Sequence, residues 1–169
     1  MKSNAYWPGM AALAALLLAS GCAYRLGSTL PPGIETVHVP TIINQTDEPS
    51  LESEVTRALV REFQRDGTLK IAEASAADAR LEVTAVGFKL EPLRYERDST
   101  KSTREYRMLI DADLVMFKSK TDTPMLTRHV QGEATFDFIG DMATSKAQAL
   151  PEAARDLSHD IVEAVVEYW

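Results

Sequence analysis

Two consecutive stretches of alternating character constrain this chain more than any other feature. From Tyr106 to Phe117, the residues Tyr106, Met108, Ile110, Ala112, Leu114 and Met116 fall on one side of an extended strand, and Asp111 and Asp113 on the other. From about Leu126 to Ile139, Val130, Ala134, Phe136 and Phe138 share one side, and Thr127, His129, Gln131, Glu133, Thr135 and Asp137 the other. A period of two marks half-buried strands. Strands joined by a short connection pair antiparallel, with one face packed on a core and one left to solvent. The apolar face needs a covering layer, and the rest of the chain has to supply it.

Arg80 to Leu90 reads as a further strand. Leu81, Val83 and Ala85 alternate, then Val86, Phe88 and Leu90 continue in the opposite phase, so a bulge is expected beside Gly87. Thr36 to Pro40 is a shorter strand, extending toward Ile43. After a turn over Asn44 to Glu48, Pro49 suits the first turn of a helix, with Asp47 or Glu48 as its cap. That helix runs to about Asp66. Leu51, Val55, Ala58, Leu59 and Phe63 fall on one face at the 3.6-residue period, and Gly67 is a natural stop. Leu69 to Ala72 adds a short extended piece. At the C-terminus Ala154, Leu157, Ile161, Val165 and Tyr168 form a second helical stripe. Pro151 either begins this helix or sits inside one that starts near Thr144. The order is β-α-β-β-β-α. A strand, a helix and a strand form a parallel pair with a right-handed crossover, and hairpins follow. The expected fold is α+β, a two-layer sandwich with a four-stranded mixed sheet and two helices packed on one face.

The N-terminus sets location. Lys2 is the one charged residue before Cys22, and Met10 to Ala19 is unbroken Met, Ala and Leu. About ten apolar residues are too few for a membrane span, which takes roughly 20, but they fit the core of an export signal. Ala19-Ser20-Gly21-Cys22 then resembles the lipobox of bacterial lipoproteins, with Ala19 where the consensus has Leu. There the thiol takes a diacylglyceryl group, and the amine freed by cleavage takes a third chain such as palmitate. One chain anchors reversibly, whereas two or three hold essentially permanently. Residues 1–21 are thus expected to be removed, 22–33 to form the acylated cysteine and tether, and 34–169 a single periplasmic domain. Cys22 is the sole cysteine, so neither an intramolecular disulfide nor a thiolate metal cluster can form. Ala23 is not the Asp that commonly retains lipoproteins in the inner membrane, which favours the outer membrane.

Without residues 1–21 the chain has 17 basic and 25 acidic residues, net −8. Such a surface repels phosphate-rich polymers at long range, which argues against nucleic acid as a partner. His38, His129 and His159 lack metal-ligand spacing, and no Gly-rich phosphate loop follows a strand. Ser158-His159-Asp160 is contiguous on a helix, so its side chains diverge and form no triad. No enzyme, metal or cofactor beyond the covalent lipid is expected. Asp111 and Asp113 share a strand face, which reads as a solvated sheet surface. Between the second and third strands, Arg94, Arg97, Lys101, Arg104 and Arg107 interleave with Glu91, Glu96, Asp98 and Glu105, a balance of +1. Lys118, Lys120 and Arg128 face Asp122 alone. These three cations are the candidate contact for phosphate groups, through charge-assisted hydrogen bonds; a charged edge that blocks strand addition is the plainer reading.

Gly21-Cys22-Ala23-Tyr24-Arg25-Leu26-Gly27, then Leu30-Pro31-Pro32-Gly33-Ile34-Glu35-Thr36-Val37, then the helix from Leu51 to Leu59 ending Glu62-Phe63-Gln64-Arg65-Asp66-Gly67 together resemble the LptE-like lipopolysaccharide-assembly lipoproteins of Gram-negative bacteria. The resemblance implies two helices on a four-stranded sheet. It also implies a non-catalytic protein on the periplasmic side of the outer membrane. Such proteins plug the lumen of the β-barrel LptD, help it assemble, and so help deliver lipopolysaccharide to the cell surface. Basic residues bind lipopolysaccharide in the family; no short motif transfers those positions here, and Lys118, Lys120 and Arg128 rest on local charge. The alternative is a lipid-anchored accessory or pilot of another envelope or secretion complex, which needs only the anchor and the fold.

Overall fold

The computed structural model describes residues 31–94, 105–121 and 123–167, with the backbone alone at Arg94. The export signal, Cys22, Arg97, Lys101, Arg104, Asp122 and Tyr168 lie outside the described residues.

The architecture is the expected α+β sandwich, with more strand segments than four. They are β1 (Thr36–His38), β2 (Ile43–Asn44), α1 (Leu51–Asp66), β3 (Lys70–Ile71), β4 (Ala79–Arg94), β5 (Glu105–Lys118), β6 (Thr123–Asp137) and α2 (Met142–Val166). The sheet order is β3-β1-β4-β5-β6, with β2 also paired to β4. The expected first strand is split. Val37 lies beside Ala79 and Ile43 beside Thr84, both parallel, and Pro40 between them has no N–H to give to a ladder. β3 adds two residues in parallel to the far side of β1. β4, β5 and β6 form two long antiparallel hairpins. The register shifts between Ala85 and Gly87, which is the anticipated bulge: Val86 is the extra residue, and it returns Phe88 and Leu90 to the core side.

The sheet presents Leu81, Val83, Ile110, Ala112, Leu114 and Met116 to the helices, all buried. Leu51, Val55, Ala58, Leu59 and Phe63 of α1 close one half of the core. Ala153, Ala154, Leu157, Ile161 and Val165 of α2 close the other. Each large aliphatic or aromatic side chain buried this way contributes roughly 1.5–3 kcal/mol. α2 lies so close to β6 that a Cβ at Gly132 would sit 2.4 Å from Leu157 Cβ and 2.5 Å from its backbone nitrogen.

The helix ends depart from expectation in part. α1 is capped by neither Asp47 nor Glu48. Its N-cap is Ser50, at φ 65, without a side-chain cap bond, and Pro49 precedes the cap. The Asn44 amide does the organising work: it donates to Glu48 O and to Glu52 Oε2, while its oxygen accepts from Thr46 N. Gly67 stops the helix as expected, at φ 76, with its N–H on Phe63 O. α2 starts at Met142, and the Asp141 carboxylate accepts from Thr144 N at 2.8 Å. This bond holds the Asp141 pKa below the usual carboxylate value. Pro151 is therefore interior. It removes one helical N–H, and the carbonyl left behind belongs to Ala147, which is exposed to water. β6 ends at Asp137 rather than Ile139.

Candidate functional site

The sheet face turned away from the helices is largely polar, and several of its groups hydrogen-bond across the strands. Register places Asp111 between Gly87 and Gln131, and Asp113 beside His129. Gln131 donates to Asp111 Oδ1 at 2.6 Å, and His129 Nδ1 pairs with Asp113 Oδ1 at 2.8 Å. Gly87 gives Asp111 its room, since a Cβ there would meet the carboxylate at 2.7 Å. One row further along, Arg107 reaches Glu133 at 3.6 Å. Cross-strand pairs of this kind stabilise a sheet by roughly 0.2–1 kcal/mol each. The two carboxylates thus form part of a hydrogen-bonded sheet surface, Asp113 exposed as expected and Asp111 half-buried. Among the described residues no group of His, Cys, Asp and Glu could hold a metal ion.

One end of the sheet is organised by Asp78. Its carboxylate accepts from Glu35 N, Thr36 N and Thr36 Oγ1, at 3.2, 3.1 and 2.7 Å. Its N–H donates to Thr36 Oγ1 and its carbonyl accepts from Ser119 N, at 2.9 and 3.0 Å. The Thr36 hydroxyl, and then the Glu35 amide, hold the Asp78 carboxyl below its ordinary pKa, with a smaller contribution from the charge of Lys120. Asp78 therefore joins the point where the chain enters β1 to the β5–β6 turn. Lys118 ends β5, Lys120 follows it in the turn, and both are exposed. Lys70, also exposed, donates its N–H to Glu35 O at the same end. Nothing in the local sequence marks Asp78, because its partner Thr36 is 42 residues away.

Arg128 does not join that turn. It pairs in register with Leu114, four residues back along β5 from Lys118, about 13 Å at strand spacing. It shares the helix-facing side with Val130 and lines an open groove with Asp160, Glu163 and Glu167 of α2. The Asp160 pKa is raised by burial and then by the charges of Asp156 and Glu163. The helices also meet through charge here. Glu62 of α1, only 6% exposed, accepts from Arg65 at 2.6 Å and from His159 of α2 at 3.1 Å. A buried carboxylate needs such partners. The bond to Glu62 raises the His159 pKa above its ordinary value against the opposing effect of desolvation. Ser158 is turned the other way, donating to Ala154 O, so Ser158, His159 and Asp160 form no triad. No described helix is long and apolar enough to cross a membrane.

A two-layer α+β body of this layout recurs among solved structures. A hypothetical protein from Chlamydia trachomatis aligns at TM-score 0.54 with 9% identity, over 78% of this chain and 98% of that one. A Xanthomonas campestris protein aligns at 0.51 with 12% identity, over 78% and 86%. A candidate lipoprotein from Caulobacter crescentus aligns at 0.50 with 11% identity, over 76% and 89%. At such identities the likeness shows the fold. No curated protein matches the sequence. The family model described as LptE, lipopolysaccharide-assembly, matches residues 34–165, nearly the whole folded body. The chain belongs to this family. At that level it is an envelope lipoprotein of lipopolysaccharide assembly.

Proposed function

We propose that this protein is exported, loses residues 1–21 and is acylated on Cys22. Anchored on the periplasmic side of the outer membrane, it plugs an LptD-type β-barrel. It assists that barrel's assembly and so the delivery of lipopolysaccharide to the cell surface. The observation that carries the reading is the family match over residues 34–165, reinforced by the lipobox at Ala19–Cys22. The flat polar sheet face suits the role, since the interior of a large barrel is polar and wet. A plug whose side chains are already paired with each other brings few unsatisfied groups into that space. Phosphate contact with lipopolysaccharide is assigned to Lys118, Lys120 and Arg128. The geometry favours the two lysines, because Arg128 faces three carboxylates.

The test is a mild-detergent pull-down of the tagged, acylated protein from its own envelope, read by mass spectrometry. A large β-barrel recovered in about equal amount supports the plug. Recovery of another envelope complex without a barrel supports the accessory or pilot reading instead. For the cations, replacing Lys118, Lys120 and Arg128 by Ala should weaken lipopolysaccharide binding. Unchanged affinity refutes the assignment.

A further inference from the structure

The first described residues and the β5–β6 turn lie at the same end of the molecule. The chain enters β1 beside Asp78, with Ile34 buried and Glu35 N on the Asp78 carboxylate. Ser119 N closes on the carbonyl of the same Asp78, and Lys118 pairs in register with Ala79. Eight residues lie between Cys22 and Pro31, nine Cα steps with a reach of at most about 32 Å. β4 runs 16 residues away from this end, about 50 Å at strand spacing. A tether from Cys22 therefore keeps this end of the sheet within about 32 Å of the bilayer, whereas the other end, near Leu90 and Tyr106, can stand farther off.

Around the entry point stand the exposed lysines Lys70, Lys118 and Lys120. Of the carboxylates at this end, Asp78 is already occupied by three donors from the N-terminal segment; the three lysines outnumber the exposed Glu35 and the turn's Asp122 by one. The acidic groove of Asp160, Glu163 and Glu167 opens on the helix side of the sheet, so an anionic surface attracts the turn and repels the helix layer.

We propose that the β5–β6 turn is a membrane-facing contact. Lys118 and Lys120 rest on the phosphates of anionic phospholipids in the leaflet that holds the acyl chains, with Lys70, three strands away at the same end of the sheet, as an outlying cation. This tilts the helix ends away and aims the far end of the sheet into the partner. The inference rests on the acylation of Cys22 proposed above; phospholipid and lipopolysaccharide phosphates would compete for the same two lysines, and the test below separates them. A lysine near an anionic bilayer strengthens attachment about five-fold, so the pair is worth roughly 25-fold in occupancy of the contact.

Acylation consumes the sole cysteine, so an introduced thiol is unique. The acylated full chain carrying T121C or T135C is spin-labelled and reconstituted into vesicles of phosphatidylethanolamine with or without phosphatidylglycerol. Relaxation by a nickel chelate on the head groups reports proximity. The expected result is strong relaxation at position 121 with phosphatidylglycerol. It should fall on adding K118A and K120A or about 0.5 M salt, and relaxation at position 135 should be weak throughout. Equal relaxation at both positions, or none that responds to charge, overturns the proposal. So does a response that requires added lipopolysaccharide and is absent with phosphatidylglycerol, which would make the turn a cargo contact. Mass spectrometry of the purified chain separates the failures: an unmodified Cys22 defeats the anchoring itself, whereas an acylated chain with a remote turn defeats this contact alone.

Discussion

Replacing Gly132 by Ala tests the tightest packing in the molecule. The added Cβ would stand 2.4 Å from Leu157 Cβ, 2.5 Å from Leu157 N and 2.6 Å from Leu157 Cα. Ordinary contacts between such atoms are about 3.5–4.0 Å, so α2 has to retreat by about 1 Å. No rotamer change can relieve the strain, because all three atoms are backbone or bound directly to it. Retreat loosens Ala153, Ala154 and Ile161 as well as Leu157, all fully buried. Overpacking a close-fitting core costs typically 1–3 kcal/mol, and a clash against backbone belongs at the upper end, about 3 kcal/mol. For a chain of this size that lowers the Tm by roughly 6–12 °C. Urea unfolding of the full chain in mild detergent, followed by far-ultraviolet circular dichroism, reads the change directly. Leu157→Ala costs about 2–5 kcal/mol by itself, but it leaves N, Cα and Cβ in place, so it should not rescue Gly132→Ala. A loss under about 0.5 kcal/mol, or a double variant as stable as Leu157→Ala alone, would refute the claim that backbone contact sets the helix height.

Two further perturbations follow from the polar contacts. Asp78→Ala leaves Glu35 N, Thr36 N and the Thr36 hydroxyl without their acceptor; the expected loss is about 2 kcal/mol, with faster hydrogen exchange confined to β1 and the segment before it. Uniform loss of protection across β4 to β6 would contradict the pinning role. The His159 pKa is raised in the fold, first through Glu62. Its contribution is therefore complete below about pH 6.5 and fades as pH rises through the folded value. Urea midpoints from pH 5.5 to 8.5 should fall with pH in the native chain and fall less in His159→Gln; parallel profiles would show that His159 adds nothing.

The long hairpins were legible in the sequence because burial of one face writes a period of two directly into residue choice. The slip from Ala85 to Val86 announced its bulge for the same reason, and α1 announced its face and its Gly67 stop. What escaped was set by partners distant in sequence. Pro40 breaks a strand whose second half is held by β4. The α1 cap went to Ser50 because the Asn44 amide, anchored in β2, organises the preceding loop. Pro151 alone could not tell a first turn from an interior position; Asp141 capping Thr144 decides it. For the candidate contact, local charge grouped Arg128 with Lys118 and Lys120, but register carries Arg128 four residues along the sheet and toward α2. That the entry to β1 and the β5–β6 turn meet at Asp78 depends on a contact across 42 residues that no local pattern encodes.

The most direct test of the assembly role is depletion of the chain in its own cells, with surface lipopolysaccharide and correctly folded barrel followed together over time. The account predicts that both fall as the protein disappears, and that re-expression restores both while a Cys22→Ala form restores them poorly. Unchanged surface lipopolysaccharide and barrel after depletion, with a defect in a different envelope complex, would contradict it.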